Sequence, residues 1–136
     1  MALGEMMGHK ETDLTDEQKR VLFDKATEAP FTGKFLHSKD TGMYTCANCG
    51  HELFNSDSKF SAPPPNEGWP SFSDVAKAGS VKLVNDNRYG MERKEVICAN
   101  CEGHLGHFFD DGPAEADGKH FCINSVCLDF KPTKNK

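Results

Sequence analysis

The sequence predicts a mainly β, antiparallel domain preceded by a helical segment. Three observations indicate this fold class: short runs rich in Val, Ile, Phe and Tyr, turn signals between these runs, and spacings too short for helical crossovers. A length of 136 residues, 37% of them hydrophobic, suits one domain with a modest core. We therefore expect a frayed N-terminus over 1–14, a single domain over 15–131 and a C-terminal tail over 132–136.

The helical segment is predicted by a capping box from Thr15 to Gln18, which places a hydroxyl at the N-cap and an amide at N3. Acidic residues at positions 16 and 17 suit the positive end of the helix dipole. The helix is expected to continue to about Glu28, because Pro30 cannot be accommodated within it.

Strands are predicted after the helix wherever apolar runs lie between turn signals such as Tyr89-Gly90. The segment 61–67 contains three consecutive prolines, which remove three backbone donors, so it is expected to be a loop. The expected strands cover 42–46, 51–54, 81–84, 91–98, 104–110 and 120–130.

Charge and apolar content exclude several classes of protein. With 16 Lys and Arg against 21 Asp and Glu, the formal charge of −5 argues against binding to a phosphate backbone. The longest apolar run, 96–99, is far shorter than the ~20 residues that span a bilayer, and 1–10 lacks the apolar core of a signal peptide. We expect a cytoplasmic, monomeric chain with no nucleic-acid or membrane partner.

Six cysteines are the most informative feature of the composition. Four form two C-x-x-C pairs, Cys46 with Cys49 and Cys98 with Cys101. Three disulfides would account for an even count, but without a secretory signal such pairs are more typical of metal ligands in a reducing compartment. Four thiolates complete the tetrahedral shell of Zn²⁺, so we predict one structural zinc ion that staples the sheet. An iron–sulfur site and two redox dithiols are the alternatives.

Cys122 is the predicted nucleophile. It lies on a run that alternates like a strand, so His120, Cys122 and Asn124 are expected on one face. An imidazole and an amide beside a thiol can favour its thiolate, which is the reactive form. A buried structural cysteine would instead have apolar flanks.

Two histidines, His104 and His107, form a second candidate group. Three positions apart on a regular strand, they face opposite sides, but Gly106 permits a bulge that brings both to one side. Either could act as a general acid near neutral pH, the alternative being hydrogen-bonded histidines in a turn. Trp69, which precedes a proline, is either an aromatic platform for an apolar ligand or a core residue.

The sixth cysteine, Cys127, lies five positions beyond Cys122. On a regular strand it faces the opposite side, and at ~3.3 Å per residue the two Cα atoms are roughly 16 Å apart. A disulfide tolerates about 7 Å at most. We therefore expect Cys127 to be a buried small hydrophobe rather than the disulfide partner of Cys122.

Seven stretches of the chain occur in a recognisable order: 27–33 (TEAPFTG), 44–49 (YTCANC), 53–54 (LF), 59–60 (KF), 68–72 (GWPSF), 104–113 (HLGHFFDDGP) and 121–125 (FCINS). From about residue 15 to residue 130, the chain resembles the methionine-R-sulfoxide reductases, the B-type repair enzymes. This resemblance implies two antiparallel sheets with short N-terminal helices, and a four-cysteine zinc on the side away from the active site.

The resemblance also implies the chemistry. The thiolate of Cys122 attacks the sulfur of the R epimer of methionine sulfoxide in peptides and proteins, and methionine leaves. Cys122 becomes a sulfenic acid, which thioredoxin or another thiol reduces. His104, His107 and Asn124 match positions that orient and protonate the departing oxygen. The implied substrate-binding residues are Trp69, which contacts the sulfoxide methyl group, Phe109 and His120.

Two positions depart from the pattern of this family. The family usually has an arginine two residues before the nucleophile, where this chain has His120. The usual resolving cysteine, in the loop before Gly68, is absent from 62–67. Completion of the catalytic cycle is therefore the step that the resemblance leaves open.

A thiol-dependent reductase is the main hypothesis for the function. The alternative is a non-catalytic zinc module that binds a protein partner, with Cys122 and Cys127 as buried hydrophobes. A zinc deaminase fits poorly, because an open zinc position is not evident in the sequence.

Overall fold

The computed structural model describes residues 14–64, 66–87 and 93–133. The expected frayed segment up to residue 13, the Tyr89-Gly90 turn and the tail residues 134–136 lie outside this description. Within it the chain is mainly β, with one α-helix and two antiparallel sheets, which confirms the predicted fold class. Among the described helices, none has the length and apolar character needed to cross a membrane.

The α-helix, α1, spans Asp16–Asp24 and begins with the predicted capping box. Thr15 and Gln18 form both reciprocal hydrogen bonds, at 2.8 and 3.0 Å. The helix ends at Lys25, whose φ of 62° is left-handed, so the predicted end at Glu28 is wrong. The amide of Ala26 donates to the carbonyl of Arg20 at 3.2 Å, so a C-terminal cap closes the helix at this point. Glu28 is consequently in an irregular segment.

The described chain contains nine strands after α1: β1 (Gly42–Cys46), β2 (Glu52–Asn55), β3 (Lys59–Phe60), β4 (Ser71–Phe72), β5 (Val81–Asp86), β6 (Arg93–Cys98), β7 (His104–Phe109), β8 (His120–Ile123) and β9 (Leu128–Pro132). They form a three-stranded sheet in the order β2-β1-β9 and a six-stranded sheet in the order β3-β4-β8-β7-β6-β5. The predicted strands agree closely with β1, β2, β5, β6 and β7. The two-residue strands β3 and β4 were not predicted, because two residues show no period.

The prediction of one strand over 120–130 is wrong. A short 3-10 turn, Ser125–Cys127, divides this segment into β8 and β9. The two strands belong to different sheets, so the turn moves the chain from one sheet to the other. The regular alternation assumed between Cys122 and Cys127 therefore does not apply.

Aromatic side chains join the two sheets. Phe54 in β2 stacks on Phe72 in β4 with ring centroids 4.5 Å apart, and the ring of Tyr44 approaches Phe72 edge-on at 5.2 Å. Phe54 also contacts Phe121 in β8 at 5.7 Å. All four rings are buried, and such pairs contribute about 1 kcal/mol each beyond the burial itself. This packing fixes β8, which carries Cys122.

Candidate functional site

The four C-x-x-C cysteines meet between two turns of the chain. Their Sγ atoms all lie within 4.8 Å of one another. The distances across the two pairs are 3.7 Å from Cys46 to Cys101 and 3.6 Å from Cys49 to Cys98. A tetrahedral Zn²⁺ with sulfur ligands at ~2.3 Å requires sulfur atoms about 3.8 Å apart. The donor set and its spacing therefore fit a tetrahedral metal site.

Hydrogen bonds within this cysteine cluster affect the order in which its thiols ionise. The bond with Cys101 is the main cause of the lowered pKa of Cys49. The bond with Cys46 is the main cause that lowers the pKa of Cys101 to about 6. The same network raises the pKa of Cys46 and of Cys98, so the cluster contains two thiols that ionise readily and two whose protons a metal must displace.

A cavity of about 100 Å³ lies beside Cys122. The predicted site residues that line this cavity are Cys122, His107, Asn124, Trp69 and Phe109. The other described residues that line it were not predicted as site residues; they are Thr27, Asn66, Arg93 and Gly106. His104 and His120 are not among the described lining residues. The structure thus brings together five of the seven predicted non-metal site residues at one cavity.

Cys122 is held in place by the strands on either side of β8. In the sheet it lies opposite Ser71 of β4 and His107 of β7. Gly106 is required on β7, because a Cβ atom at that position would overlap the carbonyl group of Cys122. With 9% of its surface exposed, Cys122 still reaches the cavity.

A β-bulge brings His104 and His107 together, as the sequence predicts. Val96 pairs with Gly106 whereas Ile97 pairs with His104, so one residue of β7 has no counterpart on β6. The two imidazole rings consequently meet edge to face, with their centroids 5.4 Å apart.

Each of these histidines bonds to a buried carboxylate. His107 Nε2 lies 2.7 Å from Oδ2 of Asp86, and the same carboxylate lies 3.7 Å from the guanidinium of Arg93. His104 Nδ1 lies 2.8 Å from Oε2 of Glu95. Because an ionised carboxylate can only accept, both of these ring nitrogens donate, which fixes the orientation of each ring.

His120 is fully buried behind the cavity wall. Its Nδ1 lies 2.7 Å from Oδ1 of Asp111, and its Nε2 lies 2.8 Å from Oγ of Ser71. The rings of Phe60 and Phe109 pack against it at 5.2 and 5.6 Å. Both ring nitrogens of His120 are therefore engaged within the protein, and its predicted contact with substrate stays a prediction.

Trp69 and Asn124 are held by the segment that follows α1. Trp69 Nε1 donates to the carbonyl of Glu28 at 3.0 Å, and the amide of Glu28 donates to Oδ1 of Asn124 at 3.0 Å. Asn124 Nδ2 in turn donates to the carbonyl of Leu105 at 2.9 Å. Trp69 is only half-buried, so it forms a cavity wall rather than part of the core.

The surroundings of Cys122 oppose its ionisation. Burial, followed by the negative charges of Asp111 and Glu28, raises the pKa of its thiol to about 12. The expectation that its polar neighbours favour the thiolate is therefore wrong. Cys127 is fully buried, as predicted, and its thiol donates to the carbonyl of His104 at 3.2 Å.

Comparison with known proteins places this arrangement in a family. Residues 14–132 match the SelR domain. The chain is 53% identical to the peptide methionine sulfoxide reductase MsrB of Methanosarcina barkeri over 118 residues, which cover 87% of this chain and 80% of that relative. The chain belongs to the methionine-R-sulfoxide reductase family.

Two further relatives come from other organisms. The peptide methionine sulfoxide reductase MsrB of Leptospira interrogans is 47% identical over 119 residues, which cover 88% of each chain. The mitochondrial methionine-R-sulfoxide reductase B3 of Mus musculus is 45% identical over 119 residues, which cover 88% of this chain and 46% of that protein.

The two departures from the methionine-R-sulfoxide reductase pattern now have a structural setting. His120, where the family usually has arginine, pairs with Asp111 beneath the cavity. The segment 62–67, without a cysteine, ends next to Gly68 and contributes Asn66 to the cavity wall.

Proposed function

We propose that this chain reduces the R epimer of methionine sulfoxide in peptides and proteins to methionine. The observation that carries the proposal is the placement of Cys122 beside a small cavity that also presents an indole, an imidazole and a carboxamide. Relatives named peptide methionine sulfoxide reductase support the peptide substrate, and the relative named methionine-R-sulfoxide reductase supports the epimer.

The atoms and protons of the proposed reaction balance within the cavity. The sulfur of Cys122 attacks the sulfoxide sulfur and forms a sulfur–sulfur bond. As the oxygen moves from the substrate sulfur to the sulfur of Cys122, the sulfur–oxygen bond of the substrate and the new sulfur–sulfur bond both break, and methionine leaves. The cysteine is oxidised to a sulfenic acid, which retains the oxygen together with the proton that the thiol began with. Since the raised pKa of Cys122 keeps this proton on sulfur before substrate binds, the proton must move toward the oxygen as the attack proceeds.

His107 is the group proposed to carry that proton. It lines the cavity, and Asp86 accepts a hydrogen bond from its Nε2. A carboxylate at this nitrogen orients the ring and stabilises the imidazolium that donates to the departing oxygen. His104, which packs against His107, is proposed to hold that ring in place, and the amide of Asn124 to orient the oxygen.

Trp69 and Phe109 are proposed to select the epimer. Both rings line the cavity, and the indole is held by its hydrogen bond to Glu28. An apolar ring that receives the sulfoxide methyl group leaves the oxygen directed toward His107 in only one configuration at sulfur.

The proposal includes one structural Zn²⁺ per chain, bound by Cys46, Cys49, Cys98 and Cys101. The tetrahedral spacing of the sulfur atoms supports zinc, and four protein ligands leave no position for substrate. Metal analysis by inductively coupled plasma mass spectrometry should find one zinc per chain. Stoichiometric iron, or protein that folds without metal, would contradict this part.

Regeneration of Cys122 is proposed to depend on an external thiol of the thioredoxin type. Cys127 is fully buried, and 62–67 contains no cysteine. A monomer in a reducing compartment such as the cytoplasm is consistent with six free cysteines and with a cavity lined by residues of one chain. Cys127→Ser should therefore keep most of its turnover with dithiothreitol and a substantial part with thioredoxin.

The central experiment offers the enzyme separated epimers of a blocked methionine sulfoxide with dithiothreitol. Reduction of the R epimer alone is expected, and a dimedone-type reagent should label Cys122 after one turnover. Thiol counting after one equivalent of substrate should show the loss of one thiol per chain. Turnover of neither epimer would leave the binding-module hypothesis, and loss of two thiols with a disulfide mapped to Cys127 would make that residue the resolving cysteine.

A further inference from the structure

Glu28 is a buried acidic residue that is not among the described residues lining the cavity. It follows α1 in an irregular segment, and only 1% of its surface is exposed. Burial raises the pKa of its carboxyl group, partly offset by hydrogen bonds from the backbone of Ser125 and Val126. A side chain of this type is rarely buried unless its contacts serve a purpose.

The backbone of Glu28 bonds to two walls of the cavity at once. Its carbonyl accepts the indole N–H of Trp69 at 3.0 Å, and its own amide donates to Oδ1 of Asn124 at 3.0 Å. These two residues stand on different parts of the chain, one in the loop before β4 and the other directly after β8. The position of Glu28 therefore sets the distance between the indole and the carboxamide.

The side chain of Glu28 fixes that backbone in turn. Oε1 accepts the amide of Val126 at 3.0 Å, two residues beyond Asn124. Oε2 is buried without a hydrogen-bond partner in the described structure, and it packs against Gly33, where a Cβ would come within 2.6 Å of it. The carboxyl group thus anchors an otherwise irregular segment to the turn that follows β8.

We propose that Glu28 is a positioning residue. By anchoring its own backbone to Val126, it holds Trp69 and Asn124 at fixed positions relative to Cys122. This role rests on the proposed function, because it assumes that the cavity binds the sulfoxide. Glu28 itself is not among the described residues that line the cavity, so it acts through the two residues that it holds.

Two substitutions of Glu28 separate the effect of its hydrogen bond to Val126 from the effect of its negative charge. Glu28→Gln keeps the length of the side chain and an oxygen for the amide of Val126, so it should retain nearly all activity. Glu28→Ala removes the acceptor and leaves the part-buried amide of Val126 without this partner, which should lower kcat/KM about tenfold, mainly through KM. Glu52→Ala is the matched control, since Glu52 is an exposed acid on β2 away from the cavity.

Trp69 supplies a readout that does not depend on activity, because it is the only tryptophan in the chain. In Glu28→Ala the released indole should show a red-shifted emission and faster acrylamide quenching, while Glu28→Gln and Glu52→Ala should match the wild type. Far-UV circular dichroism and metal content should be unchanged in all three variants. If Glu28→Ala does not fold, Glu28→Asp, whose carboxyl group is too short to reach Val126, is expected to show the same two changes.

The two proposals fail in different ways. If the wild type reduces neither epimer, the proposed function is lost, while the fluorescence comparison still tests the positioning. If the wild type is active but folded Glu28→Ala, or Glu28→Asp in its place, keeps a wild-type KM and emission spectrum, Glu28 has no positioning role. Equal losses of activity in Glu28→Gln and Glu28→Ala would also overturn the proposal. Since Glu28→Gln keeps an acceptor for the amide of Val126, loss of that hydrogen bond would then not be the cause.

Discussion

The cysteine cluster and the Cys122 cavity place the same side chain in opposite surroundings. In the cluster each sulfur has another sulfur within 3.7 Å, and hydrogen bonds lower the pKa of Cys49 and of Cys101. Cys122 is instead near the carboxylates of Asp111 and Glu28, and burial raises its pKa. In the cluster the thiols of Cys46 and Cys98, whose pKa values are raised, stabilise their ionised neighbours, whereas burial and negative charge keep the thiol of Cys122 protonated.

This difference predicts that replacing a cluster cysteine and replacing Cys122 have different consequences. Loss of a cluster cysteine should act on folding, because metal-binding energy is part of the folding energy. Loss of Cys122 should act on chemistry alone.

The largest effect is expected for Cys101→Ser. Removing one of four ligands should release the metal and remove stabilisation on a scale of ~10 kcal/mol, which approaches the whole stability of a domain. Metal analysis and thermal melting followed by circular dichroism measure this, with Cys122→Ser as the control that keeps its metal. A metal-free Cys101→Ser protein with a wild-type melting temperature would contradict the structural role.

Cys122→Ser should reduce the activity by about a thousandfold or more, since a hydroxyl is hardly ionised near neutral pH and is a poorer nucleophile toward sulfur. Its metal content and circular dichroism should match the wild type. The measurement is reduction of the R epimer under single-turnover conditions. Activity that survives in this variant would show that another thiol carries the reaction.

The cluster could be predicted from the sequence almost completely, because each C-x-x-C pair is a local pattern. The cavity could be predicted only in part. Thr27 and Arg93 reach it through the early end of α1 and the pairing of β6 with β7, which no local period encodes. The approach of Asp111 and Glu28 to Cys122 is likewise a tertiary feature. The residues that flank Cys122 in the sequence therefore suggest a lowered pKa, whereas the fold raises it.

The pH dependence of alkylation tests this direction. With a pKa raised to about 12, the thiolate fraction of Cys122 rises about tenfold per pH unit between pH 7 and 10, and its rate with iodoacetamide should follow. Unfolded protein, whose thiols have ordinary pKa values, should instead approach a plateau above about pH 9. Mass spectrometry that resolves the Cys122 peptide gives both rates. A plateau near pH 7 in the folded protein would mean that the site favours the thiolate after all.

The smallest effect concerns a backbone difference between the two turns of the cluster. Gly50 and Glu102 both follow a second C-x-x-C cysteine, and their amides donate to the carbonyls of Cys46 and Cys98 at 2.8 Å. Both are left-handed, with φ of 83° and 65°. This conformation costs a residue with a side chain ~1–2 kcal/mol, and glycine adopts it freely. The second turn is therefore the more strained of the two.

Glu102→Gly should remove this strain but also lose an exposed ion pair with Lys82, at 3.1 Å, and add entropy to the unfolded chain. The terms largely offset one another, so we expect a gain of at most about 1 kcal/mol in the free energy of unfolding. Gly50→Ala is the matched substitution, and since a Cβ there meets open space and no charge is added, its expected loss of ~1–2 kcal/mol would come from backbone conformation. Denaturant unfolding of the metal-loaded variants measures both. If both substitutions change the free energy of unfolding in the same direction, the two turns are not equivalent. The ion pair with Lys82, rather than the backbone, would then determine the effect of replacing Glu102.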